Sequence, residues 1–131
     1  MATNTLVETD IEAGIELVRA LDSAFFGVVA ALWLYQSDTD KWKFVIACTA
    51  KPNQIESKIL EAAQIVANHR NMTDAPHILD LSRVRIVGNT DPLISGLKPV
   101  IRLDGLGRVQ FSNNLINGIY IEDAVIHRMA A

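Results

Sequence analysis

A single cysteine, Cys48, excludes an intramolecular disulfide, so the fold must rest on a packed core. Cys48 ends the apolar run Val45-Ile46-Ala47-Cys48 and reads as a small buried hydrophobe. A reactive thiol needs a neighbouring base, which the sequence does not identify. Met1-Ala2-Thr3-Asn4-Thr5 lacks a basic stretch followed by an apolar one. No signal peptide is therefore expected, and the expected location is cytoplasmic. The longest apolar run, Ala24 to Tyr35, is about 12 residues against the roughly 20 that a membrane-spanning helix needs. Basic excess is also missing: 12 Lys and Arg stand against 15 Asp and Glu, a net charge of −3. That balance argues against a broad nucleic-acid footprint. No His-x-x-x-His, Cys-x-x-Cys or carboxylate-rich calcium loop occurs, so neither a metal nor another cofactor is expected. Asp104-Gly105-Leu106-Gly107-Arg108 contains Gly-x-Gly without the third glycine or the strand-turn-helix setting of a dinucleotide site. It reads as a loop.

What is present suits a packed domain. Half of the 131 residues are hydrophobic and 21% are charged, which argues against intrinsic disorder. The length fits one domain spanning residues 1–131. Thr9-Asp10-Ile11-Glu12 has capping-box spacing, and Ile11, Ile15, Val18 and Leu21 recur at helical spacing. These predict a helix over Asp10–Ser23, with Glu8, Glu12, Glu16 and Arg19 turned to water. Phe25–Gln36 and Trp42–Ala50, separated by the polar Ser37-Asp38-Thr39-Asp40-Lys41, predict a β-hairpin. The first strand is apolar on both faces, Val28, Ala30, Leu32 and Leu34 on one and Val29, Ala31, Trp33 and Tyr35 on the other. A strand with one wet face alternates instead, so this strand belongs inside the sheet, covered by helices, by other segments or by a second subunit.

A second helix is predicted over Gln54–Arg70, with Ile55, Ile59, Ala62, Ala63, Val66 and Ala67 as its apolar stripe. His69 falls in its last turn, where positive charge is favoured. Arg83–Val87 alternates as a strand. Asp91 is the expected cap of a short helix over Pro92–Lys98. Arg108–Ile116 and Ile119–Met129 flank Asn117-Gly118, a two-residue turn signal for type I′ geometry. The predicted class is α+β: a mainly antiparallel or mixed sheet of about five strands, two main helices and one short one, in the order α-β-β-α-β-α-β-β.

Ala31-Leu32-Trp33-Leu34-Tyr35, Trp42, Val45-Ile46-Ala47, Asp91-Pro92-Leu93 and Ile116-Asn117-Gly118-Ile119-Tyr120-Ile121-Glu122-Asp123-Ala124 resemble segments of a set of small uncharacterised bacterial proteins. The resemblance covers most of the chain after about Phe25. It implies a bacterial, free-standing domain and supplies no activity, cofactor or catalytic residue.

Counting back from the Asn117-Gly118 turn without a bulge opposes Ser112 to Asp123, Gln110 to Val125 and Arg108 to His127. One face then collects Arg108, Gln110, Ser112, Asp123 and His127. Val109, Phe111, Leu115, Tyr120, Ala124 and Ile126 share the other, expected core face. Arg108, Asp123 and His127 are the candidate ligand-binding residues, able to hold an anion or to act with Ser112 in a nucleophilic site. A solvated strand face is the plainer alternative. Arg83 and Arg85, with Lys41, Lys43 and Lys51, are the candidates for phosphate contact. Trp33, Tyr35 and Trp42 are the candidate interface residues, or else core aromatics. The leading expectation is a non-enzymatic binding or regulatory module that homo-oligomerises, because a dimer could cover the second apolar face. The alternatives are a small-ligand binder or enzyme built on the C-terminal hairpin, and a nucleic-acid-associated protein.

Overall fold

The computed structural model describes residues 5–131. Its elements follow the predicted order: α1 (Glu8–Ser23), β1 (Val28–Gln36), β2 (Lys41–Cys48), α2 (Ile55–Arg70), β3 (Val84–Gly88), α3 (Pro92–Leu97), β4 (Val109–Ile116) and β5 (Ile119–Met129). The class is α+β, with a mixed five-stranded sheet ordered β3-β2-β1-β5-β4. β1 pairs antiparallel with β2 and with β5, and β5 pairs antiparallel with β4. β2 and β3 are parallel, which requires a crossover, and α2 supplies it.

The two apolar faces of β1 are both covered within the chain. Ala31, Trp33 and Tyr35 join Trp42, Phe44, Ile46 and Cys48 of β2 under α1 and α2, through Leu17, Val18, Leu21, Ala62 and Val66. Ala30 and Leu32 join Val45 and Ala47 on the opposite face, under Leu93, Ile94 and Leu97 of α3 and the buried residues of β4 and β5. Ala30, Ala31, Leu32 and Trp33 have no exposed surface. The apolar excess that suggested a subunit as cover is thus met by α3 and the hairpin. A six-residue helix was enough to cap the second core. Cys48 is buried, and burial pushes its thiol pKa up, as suits an inert core residue.

The start of α1 departs from expectation. The helix begins at Glu8, Val7 takes the N-cap position, and no side chain caps it. The Thr9–Glu12 box does not form because Thr9 already lies inside the first turn. Glu8 stays exposed, as expected, whereas Glu16 is largely buried. Glu8 pairs with Arg108, Asp10 with Arg83, Glu16 with His69 and Asp22 with Arg128. The acidic residues of α1 therefore tie it to segments 53 to 106 positions away in sequence.

The end of α1 is a Schellman turn. Phe26 N–H donates to Leu21 O and Phe25 N–H to Asp22 O, each at 3.0 Å. That motif puts Phe25 in the left-handed region, at φ 57, a place glycine usually takes. Phe26 tucks into the core, whereas Phe25 is 93% exposed.

Candidate functional site

The terminal hairpin forms in the predicted register: Ile116 faces Ile119, Ser112 faces Asp123 and Gln110 faces Val125. Asn117 (φ 51) and Gly118 (φ 78) supply the two positive dihedrals of a type I′ turn. The predicted faces do not persist along it. Asn113 sits at φ 54, between the Ser112–Asp123 and Asn114–Ile121 pairs. On the Arg108 side of Asn113, Phe111, Ala124 and Ile126 pack into the second core; on the turn side, Ile116 and Ile121 do. A left-handed residue inside a strand has switched the inward parity. Leu115 and Tyr120, expected in the core, are 69% and 60% exposed instead, and Val109 is exposed as well.

Arg108 and Asp123 line one cavity, of about 370 Å³, with Glu8, Gln110 and Trp42. Their charges are already spoken for. Arg108 donates to both carboxylate oxygens of Glu8, at 2.7 and 3.2 Å. This bond holds the Glu8 carboxyl below its usual range and raises the Arg108 guanidinium. Asp123 accepts from Ser112 Oγ at 3.1 Å and Gln110 Nε2 at 3.3 Å. His127 does not join them. It has no exposed surface, Nδ1 lies 2.6 Å from the Gly107 carbonyl oxygen, and Nε2 is buried without a partner. Ser112 bonds to Asp123 rather than to His127, so no nucleophile–histidine pair is assembled. The three candidates separate into a surface ion-pair network and a core histidine.

The other candidates also find internal roles. Trp33 is fully buried against Phe44, with ring centroids 4.9 Å apart. Tyr35 and Trp42 are 6% and 7% exposed and pack on each other. These three belong to the core cluster under α1 and α2. Arg83 lies in a 3₁₀ turn ahead of β3 rather than on the strand with Arg85. Its guanidinium pairs with Asp10 at 2.8 Å and stacks over the Trp33 ring at 5.1 Å. Lys43 donates to Ser82 O, and Lys51 lies beyond the far end of β2 from Lys41. Lys41, Lys43 and Arg83 line one cavity of about 570 Å³ together with Asp10, while Lys51 and Arg85 lie outside it. Among the described residues, no group of three or more His, Cys, Asp and Glu side chains is arranged to hold a metal ion, and no helix is long and apolar enough to cross a membrane.

The arrangement with chemistry left over lies elsewhere, between α1 and α2. His69, in the last turn of α2, is 6% exposed. Its Nε2 is 3.0 Å from Glu16 Oε2 of α1. A carboxylate accepts, so Nε2 carries the proton. The second ring nitrogen, Nδ1, is buried and has no partner. Both residues line a groove of about 380 Å³ whose other walls include Arg19, Ala20, Ala24, Ile65, Met72 and Pro76. Met72 is 58% exposed, and Phe25 directly follows Ala24. The helical stripe foresaw Ala62 and Val66 in the core, but Ile59 is 44% exposed and Ala63 and Ala67 face out. The buried side of α2 instead runs through Ala62, Val66 and His69.

Comparison of the chain with family models, with curated proteins and with solved structures gives no match. The functional reading therefore rests on the site alone.

Proposed function

We propose that this protein is a binding module for a small amphipathic molecule, and that the groove between α1 and α2 is its site. One observation carries the reading: the His69 ring is oriented by Glu16 through one nitrogen and offers the other, buried and unpartnered, beside an apolar groove. A buried polar atom without a partner costs about 1–3 kcal/mol, and a ligand that bonds to it removes that cost. The volume is at the small end of the roughly 300–1,000 Å³ range of small-molecule sites, which are typically apolar with few polar groups. Phe25 adds support. Its left-handed backbone costs about 1–2 kcal/mol relative to glycine, and its exposed ring contributes little to the core. Strain of this kind gathers at sites of function.

The test is a fragment screen read by backbone amide shifts, repeated with Ala24→Trp, which fills the groove from an exposed position. Hits should shift residues of α1 and α2 around Ala20, Ile65 and His69 and disappear in the variant. Hits confined to the Arg108–Asp123 cavity would refute the assignment.

A second reading, self-association, has a new basis. β4 is one of the two edge strands of the sheet, and Leu115, Tyr120 and Val109 leave apolar surface on that hairpin. An open edge of this kind is a template for pairing with a second copy. Sedimentation at high concentration should show a dimer that Leu115→Lys dissociates. A strict monomer would end this reading and leave the groove untouched.

A further inference from the structure

We propose that the groove selects a neutral ligand with a hydroxyl head and an apolar tail, an inference that rests on the groove being the ligand site. The head group follows from one atom. Nε2–H of His69 donates to Glu16 at 3.0 Å, so in the neutral ring Nδ1 carries a lone pair and accepts. Nδ1 is buried without a partner, in a ring that lines the cavity and is almost wholly buried. The unmet requirement is therefore a hydrogen-bond donor. A second proton on the ring would leave a buried N–H without an acceptor, the rarer kind of orphan.

The rest of the polar lining is already served. Arg19, Ser23 and Asn68 are exposed and keep their water. Asn68 Oδ1 also accepts from Gln64 Nε2 at 3.0 Å. Glu16 and Arg19 place opposite charges on the same lining, so the cavity has no net charge to offer an ion. A carboxylate would set its lone pairs against that of Nδ1 and its charge against Glu16. An ammonium brings three N–H groups to one lone pair and meets Arg19 as a like charge. An ether has no hydrogen to give. A hydroxyl donates its one hydrogen to Nδ1 and keeps an oxygen open to water at the exposed rim. The tail lies against Ala20, Ile65 and Met72.

1-Heptanol and hexyl methyl ether are isomers that differ in the O–H group; heptanoate and heptylammonium add the two charges. Each is titrated into the full chain at about pH 8, where an imidazole is ordinarily neutral, with affinity read from backbone amide shifts. Heptanol should bind at least about fivefold more tightly than the ether, which leaves the buried acceptor unmet, and more tightly than either ion. The nitrogen resonance of His69 Nδ1 should fall in the range of a bare ring nitrogen and move upfield with heptanol but not with the ether. His69→Phe keeps a ring and deletes the acceptor. It should bring heptanol down to the level of the ether and leave the ether unchanged. Equal binding of heptanol and the ether, tighter binding of either ion, or a protonated Nδ1 overturns the hydroxyl assignment while the groove remains a ligand site. Failure of all four probes to shift groove residues overturns both inferences. If His69→Phe melts too low to assay, the Nδ1 resonance of the parent decides the matter.

Discussion

The His127 imidazole should make the protein sensitive to mild acid, and the effect can be worked out from its surroundings. The ring has no exposed surface. In the neutral form, Nδ1–H donates to Gly107 O and Nε2 lies bare in a dry setting. A second proton would place a charge there. Burial accordingly lowers the His127 pKa; the Gly107 bond opposes this, Arg108 adds to it and Glu8 offsets part. The unfolded chain keeps the ordinary value of 6.5. Below that pH the unfolded state binds a proton that the folded state refuses, so acid favours unfolding. The contribution of His127 is fully present above the unfolded pKa. It is lost as pH falls toward the depressed folded pKa, with a slope approaching about 1.4 kcal/mol per pH unit for one proton.

The assay is urea unfolding followed by the fluorescence of Trp33 and Trp42, both buried, from about pH 8 to about pH 5. The reference is His127→Asn, whose side-chain N–H can keep the bond to Gly107 O but cannot titrate. Its smaller volume should impose a pH-independent loss of about 1–3 kcal/mol. The stability difference between parent and variant should be flat above about pH 6.5 and shrink by about 1 kcal/mol per unit below it. Other groups titrate in both proteins and largely cancel. A difference that stays flat to pH 5, or grows, would refute a neutral buried His127.

Three further outcomes follow from local geometry. Phe25→Gly should stabilise the fold by about 1 kcal/mol, since it relieves a left-handed residue at a Schellman turn; a lower melting temperature would count against that. Gly96→Ala should cost about 1–3 kcal/mol by overpacking, because the added methyl would lie 2.4 Å from Ile116 Cγ2 and 2.9 Å from Asn117 Cβ. The clash should outweigh the gain of up to about 1 kcal/mol in helix propensity, and neutral or stabilising denaturation data would contradict it. Arg128→Leu removes two 2.9 Å bonds to Asp22 and a third to Val28 O. A loss of about 1–3 kcal/mol is expected, and a double-mutant cycle with Asp22→Asn should show coupling between the two sites.

Local chemistry made the fold legible. The Asn117-Gly118 turn, the Asp91-Pro92 helix start and the two-faced apolar β1 each act over a few residues, and each survives in the structure. The cap of α1 shows the limit. Thr9–Glu12 has the spacing of a capping box, yet the helix reaches back to Glu8, whose carboxylate meets Arg108 across 100 positions of sequence. A tertiary ion pair can extend a helix past its local stop signal, and no window of sequence contains both partners. The hairpin failed differently. Its register was readable from the turn, but its faces were not, because alternation reverses at Asn113. Asparagine tolerates left-handed backbone better than most residues, so Asn113-Asn114 was a visible warning without a direction.

The site was the least legible part, for a reason that applies beyond this chain. A histidine in the last turn of a helix has an adequate local account, favourable interaction with the helix dipole. That account is complete only if the ring reaches water. Burial changes the requirement: each ring nitrogen must now find a partner, and Glu16 provides one from α1. The two residues are 53 apart, so only the packing of α1 on α2 brings them together. Arg108, Asp123 and His127 drew attention because pairing registers are easy to count, yet the fold neutralises the first two and seals the third. What distinguishes a site from a polar cluster is an unmet valence. Arg108 and Asp123 have theirs met inside the chain, and the open Nε2 of His127 lies in the core; the open Nδ1 of His69 belongs to a ring that lines a groove, and that makes it the atom on which the functional reading turns.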